Sequence, residues 1–162
     1  MKIEDEIKQT KPFASPFIKL AVNVSYTHFW FQELQKGALE SYDITLQQFN
    51  ILKILKGQYP KPSSIILIKE RMIDKGCDAS RIVERLRAKG YVERERCDED
   101  RRLVEVLITE EGKKVLDSID EKNKNGMPVE LSLTEKEVAS LSNLLDKLRD
   151  SKIYFTIDAT LL

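Results

Sequence analysis

Apolar side chains recur at helical spacing over most of the chain, switch to a period of two near Gly90, and return to helical spacing after Thr109. Residues 1–12 are polar and lead into Pro12 and Pro16, the pattern of a loose arm or a short frayed helix. Phe17, Leu20, Ala21, Val24, Phe31 and Leu34 predict a helix over 16–36, with Gly37 as its C-terminal cap. Thr45 and Gln48 have the form of a capping box. Leu46, Phe49, Leu52, Ile54 and Leu55 carry the helix behind it to about Gly57. Tyr59-Pro60-Lys61-Pro62 is a stiff connector, since each proline pushes the residue before it out of helical space. Ser63 or Ser64 caps a short helix holding Ile65, Ile66, Ile68, Met72 and Ile73, and Asp74-Lys75-Gly76 breaks it. Asp78 then caps a helix whose apolar stripe is Ala79, Ile82, Val83 and Leu86, ending at Lys89-Gly90. At about 100° per residue, Cys77, Arg81, Glu84 and Ala88 point away from that stripe, with Ser80 and Arg85 beside them.

The alternating runs 91–96 and 102–108 predict a β-hairpin around Cys97-Asp98-Glu99-Asp100-Arg101. Thr109 caps a helix with Val115, Leu116 and Ile119, running to about Asn123. Asn125 to Pro128 interrupts the chain. Thr134 and Glu137 form a second capping box, with Leu133 and Val138 as a hydrophobic staple, and Leu141, Leu144, Leu145 and Leu148 complete the last helix. Residues 153–162 are apolar without helical period and read as a docked arm or a frayed end. The 6 glycines are scattered, so neither a dinucleotide fingerprint nor a phosphate-binding loop can be built.

Helix, sharp break, amphipathic helix and charged hairpin, in that order, describe a winged helix-turn-helix. The helix over 79–89 is the one that enters the major groove. Arg81 and Arg85 are placed to reach base edges or phosphates, with Ser80 able to bond to either. The bland reading is that these arginines merely solvate an exposed helix. At the hairpin tip Asp100 can orient Arg102 beside Arg101 while the tip enters a narrow minor groove.

Composition narrows the possibilities. The 27 basic side chains are balanced by 27 acidic ones, so bulk positive charge cannot hold nucleic acid or membrane and any such partner must be gripped locally. The balance is uneven along the chain: residues 1–68 sum to +2, 69–102 to +2 and 103–162 to −4. The single histidine, His28, cannot build a metal cluster and reads as a packing or interface residue, so neither an enzyme nor a cofactor or metal is expected. Cys77 and Cys97 are too few for a disulfide framework, which suits a reducing cytoplasm. The acidic N-terminus and the shortness of the longest apolar run, Ile65 to Ile68, predict no signal peptide and no membrane partner. Six of the 12 aromatics fall between Phe13 and Phe31, more apolar surface than a monomer's surface helix needs.

Asp100-Arg101-Arg102, Ile108-Thr109 and Gly112 resemble the Asp-x-Arg…Leu-Thr-x-x-Gly signature of the MarR (multiple antibiotic resistance regulator) family, with Ile108 for the usual Leu. Arg81 to Arg94 resembles the family's recognition helix running into the first wing strand. The resemblance implies a mainly α fold with a small β-hairpin wing. It would be one domain over 1–162, with a DNA-binding lobe at about 44–108 and dimerisation helices at about 13–37 and 109–162. The function implied is that of a homodimeric, sequence-specific regulator of transcription. Its partners would be double-stranded DNA with a pseudo-palindromic operator and, by family habit, a small aromatic or phenolic effector. Lys61 and Ser64 would touch phosphates. Tyr26, Trp30 and Phe49 would line an effector crevice, unless they are dimer core, which aromatics also dominate. Cys77 and Cys97 lie at the recognition helix start and on the wing, where oxidation would disturb DNA contact. Against these stands a winged-helix module that docks on protein, favoured by Asp78, Glu84, Asp98 and Glu99.

Overall fold

A computed structural model describes residues 1–96, 104–123 and 132–150. The chain divides into two compact units, Met1–Val129 and Glu130–Leu162. The first opens with a short helix, α1 (Ile3–Glu6), and continues with α2 (Pro16–Leu39), a 3-10 turn (Glu40–Tyr42) and α3 (Leu46–Gln58). There follow β1 (Ser63–Ser64), α4 (Ile65–Arg71), α5 (Ala79–Ala88), β2 (Val92–Arg96), β3 (Val104–Ile108) and α6 (Glu110–Lys122). The second unit contributes α7 (Glu135–Arg149).

Local chemistry explains most helix starts. Thr45 and Gln48 exchange both bonds of the expected capping box, and Thr134 and Glu137 do the same at α7. Ser64, Asp78 and Thr109 each accept an N–H from the third residue on: Leu67 at 3.2 Å, Arg81 at 3.0 Å and Gly112 at 3.1 Å. Such caps are worth about 1 kcal/mol each. Helix α5 ends in a Schellman turn: Tyr91 N–H bonds to the Leu86 carbonyl, Gly90 N–H to that of Arg87, and Gly90 takes φ 73°, as the glycine there predicts.

Of the two readings of residues 1–12, a loose arm or a short frayed helix, the structure shows the helix: α1 buries Ile3, and its Glu4 pairs with Lys19 of α2 at 2.6 Å. One expectation is corrected. Gly37 does not cap α2, which passes through it until Leu39 is buried; the left-handed residue that turns the chain is Asp43, at φ 50°. On α3 the buried face holds Gln48, Ile51, Leu52 and Leu55, while Leu46, Phe49 and Ile54 lie only at its margin. Similarly, Ile68 and Met72 of α4 are inside, with Ile66 and Ile73 exposed.

The core of the first unit joins Ile51, Leu52 and Leu55 to Ile68 and Met72, to Val83 and Leu86 of α5, and to Leu116 and Ile119 of α6. Val92, Val106 and Ile108 close it from the sheet. That sheet is antiparallel in the order β1-β3-β2, with Val92 opposite Ile108 and Arg94 opposite Val106. The two-residue β1 pairs Ser63 with Val106 and Ser64 with Glu105, an edge that sequence pattern does not announce.

Candidate nucleic-acid interface

The turn between α4 and α5 is fixed by side chains. Asn50 accepts the Ile73 N–H at 3.0 Å, and Asp74 accepts that of Gly76 at 3.0 Å. Asp78 then starts α5. Ala79, Val83 and Leu86 are buried, so the turn-by-turn rotation of the helix puts the opposite side in solvent. Ser80, Arg81 and Arg85 are exposed there, as their spacing predicts, and neither guanidinium has an ion-pair partner among the described residues. Asp78 spends an oxygen on the Arg81 N–H, so the acid near the interface is occupied by the helix it caps.

Glu84 completes the exposed face in a way the sequence reading missed. Its Oε1 accepts from Arg87 Nη2 at 2.6 Å and Nε at 3.0 Å, and its Oε2 accepts from Arg94 Nη1 of β2 at 3.2 Å. The Arg87 guanidinium, with Arg94 adding to it, holds this carboxyl below the usual range. Two signals were legible in principle: the i,i+3 spacing of Glu84 and Arg87, and the period-two alternation that puts Arg94 on the same side of β2 as buried Val92.

Lys61 is exposed on the connector before β1. Ser64 Oγ is engaged as the cap of α4, which leaves its O–H free to donate. Asp100, Arg101, Arg102 and Cys97 lie outside the described residues.

Tyr26, Trp30 and Phe49 each have their own surroundings. Tyr26 donates its hydroxyl to Glu6 Oε2 at 2.9 Å, and that carboxylate raises the phenol's pKa. Trp30 is 46% exposed on α2. Phe49 is half-buried on α3, with Lys53 Nζ 5.7 Å from its ring centre. An open crevice of about 1100 Å³ lies between the C-terminal half of α2, the start of α3 and the end of α5, and none of the three aromatics is in its lining. Gln32, Lys36, Glu40, Gln47, Arg85 and Lys89 are among its lining. Lys89 Nζ bonds to the Asp43 carboxylate at 2.7 Å, tying the end of α5 to the turn after α2.

Cys77 is half-buried, its Sγ 3.1 Å from the Asp74 carbonyl and 3.3 Å from Met72 Sδ. Burial first, then Asp74, raises the thiol's pKa, so the neutral form dominates at pH 7. A thiol kept neutral is a poor nucleophile toward peroxide. Brief peroxide treatment at neutral pH is therefore expected to leave Cys77 unmodified in a peptide mass map. A sulfenic or sulfinic adduct there would contradict this. Among the described residues no group of three or more His, Cys, Asp or Glu side chains is placed to hold a metal, and no helix is long and apolar enough to cross a membrane.

A braced helix pair followed by an antiparallel wing, with the second helix presenting exposed arginines outward, defines a winged helix-turn-helix. The chain belongs to the transcriptional regulator SarA/Rot family, whose sequence profile matches residues 33–119. No protein of curated function matches it by sequence. Its fold is shared by MarR-type regulators. A MarR variant from E. coli complexed with operator DNA is 24% identical, with a TM-score of 0.71, covering 85% of this chain and 99% of that one. The organohalide-sensing regulator RdhR-CbdbA1625, bound to 2,4-dichlorophenol, is 20% identical with a TM-score of 0.75, covering 94% and 92%. BpsR of Bordetella bronchiseptica, whose DNA binding is regulated by 6-hydroxynicotinic acid, is 19% identical with a TM-score of 0.65, covering 82% and 99%.

Proposed function

We propose that this protein is a sequence-specific, DNA-binding regulator of transcription that acts in the cytoplasm as a homodimer on a pseudo-palindromic operator. The observation that carries the reading is the outer face of α5, where Arg81 and Arg85 are exposed and have no ion-pair partner among the described residues, while nearby acids are already bonded. An exposed helix that only needed solvation would satisfy its arginines with its own carboxylates, as Glu84 satisfies Arg87. Arg81 and Arg85 are left for another molecule's acceptors, and the sequence Asp100-Arg101-Arg102 adds two more arginines between the wing strands.

A protein-docking module would need free acids on α5, yet Asp78 is a helix cap and Glu84 is held by two arginines. For the effector, Tyr26 and Trp30 fit the reading as dimer core, because they stand on an apolar, unburied α2. The open crevice beside Arg85 and Lys89 is where a small effector would bear directly on the recognition helix. RdhR-CbdbA1625 and BpsR support a small-molecule input by analogy.

The test is selection of bound sequences from a random duplex pool at two salt concentrations. An enriched two-fold site is expected; recovery of no sequence above background would overturn the function. On that site Arg81→Ala and Arg85→Ala should each cost about 1–3 kcal/mol in affinity with an unchanged thermal midpoint.

A further inference from the structure

The outer face of α5 has two edges. Taking the buried stripe as reference, Arg85 lies toward the crevice it helps to line, and Glu84 and Arg87 lie toward the wing, where Glu84 meets Arg94. Arg94 comes from the helix-facing side of β2, directly opposite buried Val106, so it reaches α5 only by emerging over the edge of the core. An arginine there with no partner would lose hydration without compensation.

We infer that Glu84 is a positioning residue for DNA: it gathers Arg87 from the helix and Arg94 from the wing strand into one preset guanidinium pair that receives a backbone phosphate. The inference rests on the DNA-binding reading above and deepens it. One carboxylate against two guanidiniums leaves the cluster with one net positive charge. The three groups are 45%, 55% and 36% exposed, respectively, so the cluster is open to a ligand. The bonds to Glu84 use Nε and Nη2 of Arg87 and Nη1 of Arg94, and each arginine keeps further N–H donors for an incoming oxyanion. A long side chain that binds phosphate alone gives up its rotamer freedom at that moment. Here the carboxylate has already fixed both arginines, and it also locks the wing strand to the recognition helix, so the two move onto DNA as one body.

The competing account makes Glu84 an acid that merely repels phosphate, with Arg94 serving as an inward-pointing charge that keeps edge strand β2 from pairing with another chain. The two accounts differ in sign. If Glu84 only repels, Glu84→Gln tightens binding. If it positions the arginines, Glu84→Gln weakens operator binding about five- to tenfold, and the slope of log affinity against log salt becomes shallower by about 1 per half-site. The experiment measures both quantities on the selected operator for the wild type, Glu84→Gln, Arg94→Ala and the double variant, with thermal midpoints to show that all remain folded. In the Arg94→Ala background the loss from Glu84→Gln is expected to shrink, as it must if the carboxylate acts through that arginine. Equal or tighter binding by Glu84→Gln, or strict additivity with Arg94→Ala, overturns the inference while leaving the function standing. A wild-type chain that selects no DNA overturns both.

Discussion

Gly112→Ala is expected to destabilise the protein by about 3 kcal/mol or more, the upper end of the range for overpacking, which at this chain length lowers the thermal midpoint by about 6–12 °C. A β-carbon built on Gly112 would stand 2.3 Å from the Tyr91 carbonyl oxygen and 2.9 Å from Ile108 Cγ1. Neither neighbour can give way cheaply. The Tyr91 carbonyl accepts the Thr109 N–H at 3.1 Å, while Thr109 Oγ1 donates to the Gly90 carbonyl at 2.7 Å and accepts from Gly112 N–H. Tyr91 follows the left-handed Gly90 that ends α5 and leads into Val92, which pairs with Ile108. The Thr-x-x-Gly spacing is thus a joint: the threonine caps α6 and staples it to the end of α5, and the glycine lets backbone pass against backbone. Moving that carbonyl would swing the wing away from α5, so operator affinity should fall with stability. Gly57→Ala is the control, because a methyl there meets nothing within 4 Å in a helix and should be neutral or stabilising. A Gly112→Ala protein that melts with the wild type would show that the joint has slack.

The same joint shows what sequence can and cannot reveal. Thr109, Asp78, Thr45 with Gln48, and Thr134 with Glu137 were all legible, because a cap is satisfied within three residues of itself. The hairpin and the outward face of α5 were legible for a related reason: period and rotation are local properties. What was hidden depends on residues distant in the chain. Gln48 and Ile51 are buried on α3 in place of Leu46 and Phe49, because the stripe is broad and its phase is set by where α5 and α6 press. Helix α2 outlasts Gly37 because Leu39 finds the core. Ser63 and Ser64 become a strand only because β3 has a free edge. The Arg94 to Glu84 pair joins residues ten apart across a helix and a strand, so each half looked like a solvated charge.

Phe29→Glu is expected to halve the solution mass of the protein and to weaken operator binding on the order of 100-fold or more, the loss that follows when two linked contacts become one. Helix α2 has 24 residues, about 36 Å of helix, yet only Leu39 along it is buried. Phe17 is 81% exposed, Phe29 66% and Trp30 46%, and Ile18, Leu20 and Val24 are also exposed. Their numbers, multiplied by the helical turn, point in every direction around the axis. A helix that is apolar all round belongs in an interior, and α1, which touches it through Glu4 and Glu6, leaves these apolar side chains exposed. A second copy of α2 answers that demand in a two-fold dimer, since the same patch then serves both chains. The exposed Leu141, Leu144 and Leu148 of α7 offer further surface of the same kind. Within a single chain Phe29 touches solvent, so a glutamate there should leave the monomer's fold and circular dichroism unchanged. In the dimer it would bury a carboxylate without a partner, which costs several kcal/mol and separates the chains. Light scattering with size exclusion reads the mass, and titration on the selected operator reads the affinity. A variant that keeps the wild-type mass would place the interface away from α2. One that halves its mass yet binds the operator undiminished would mean that a single recognition helix suffices.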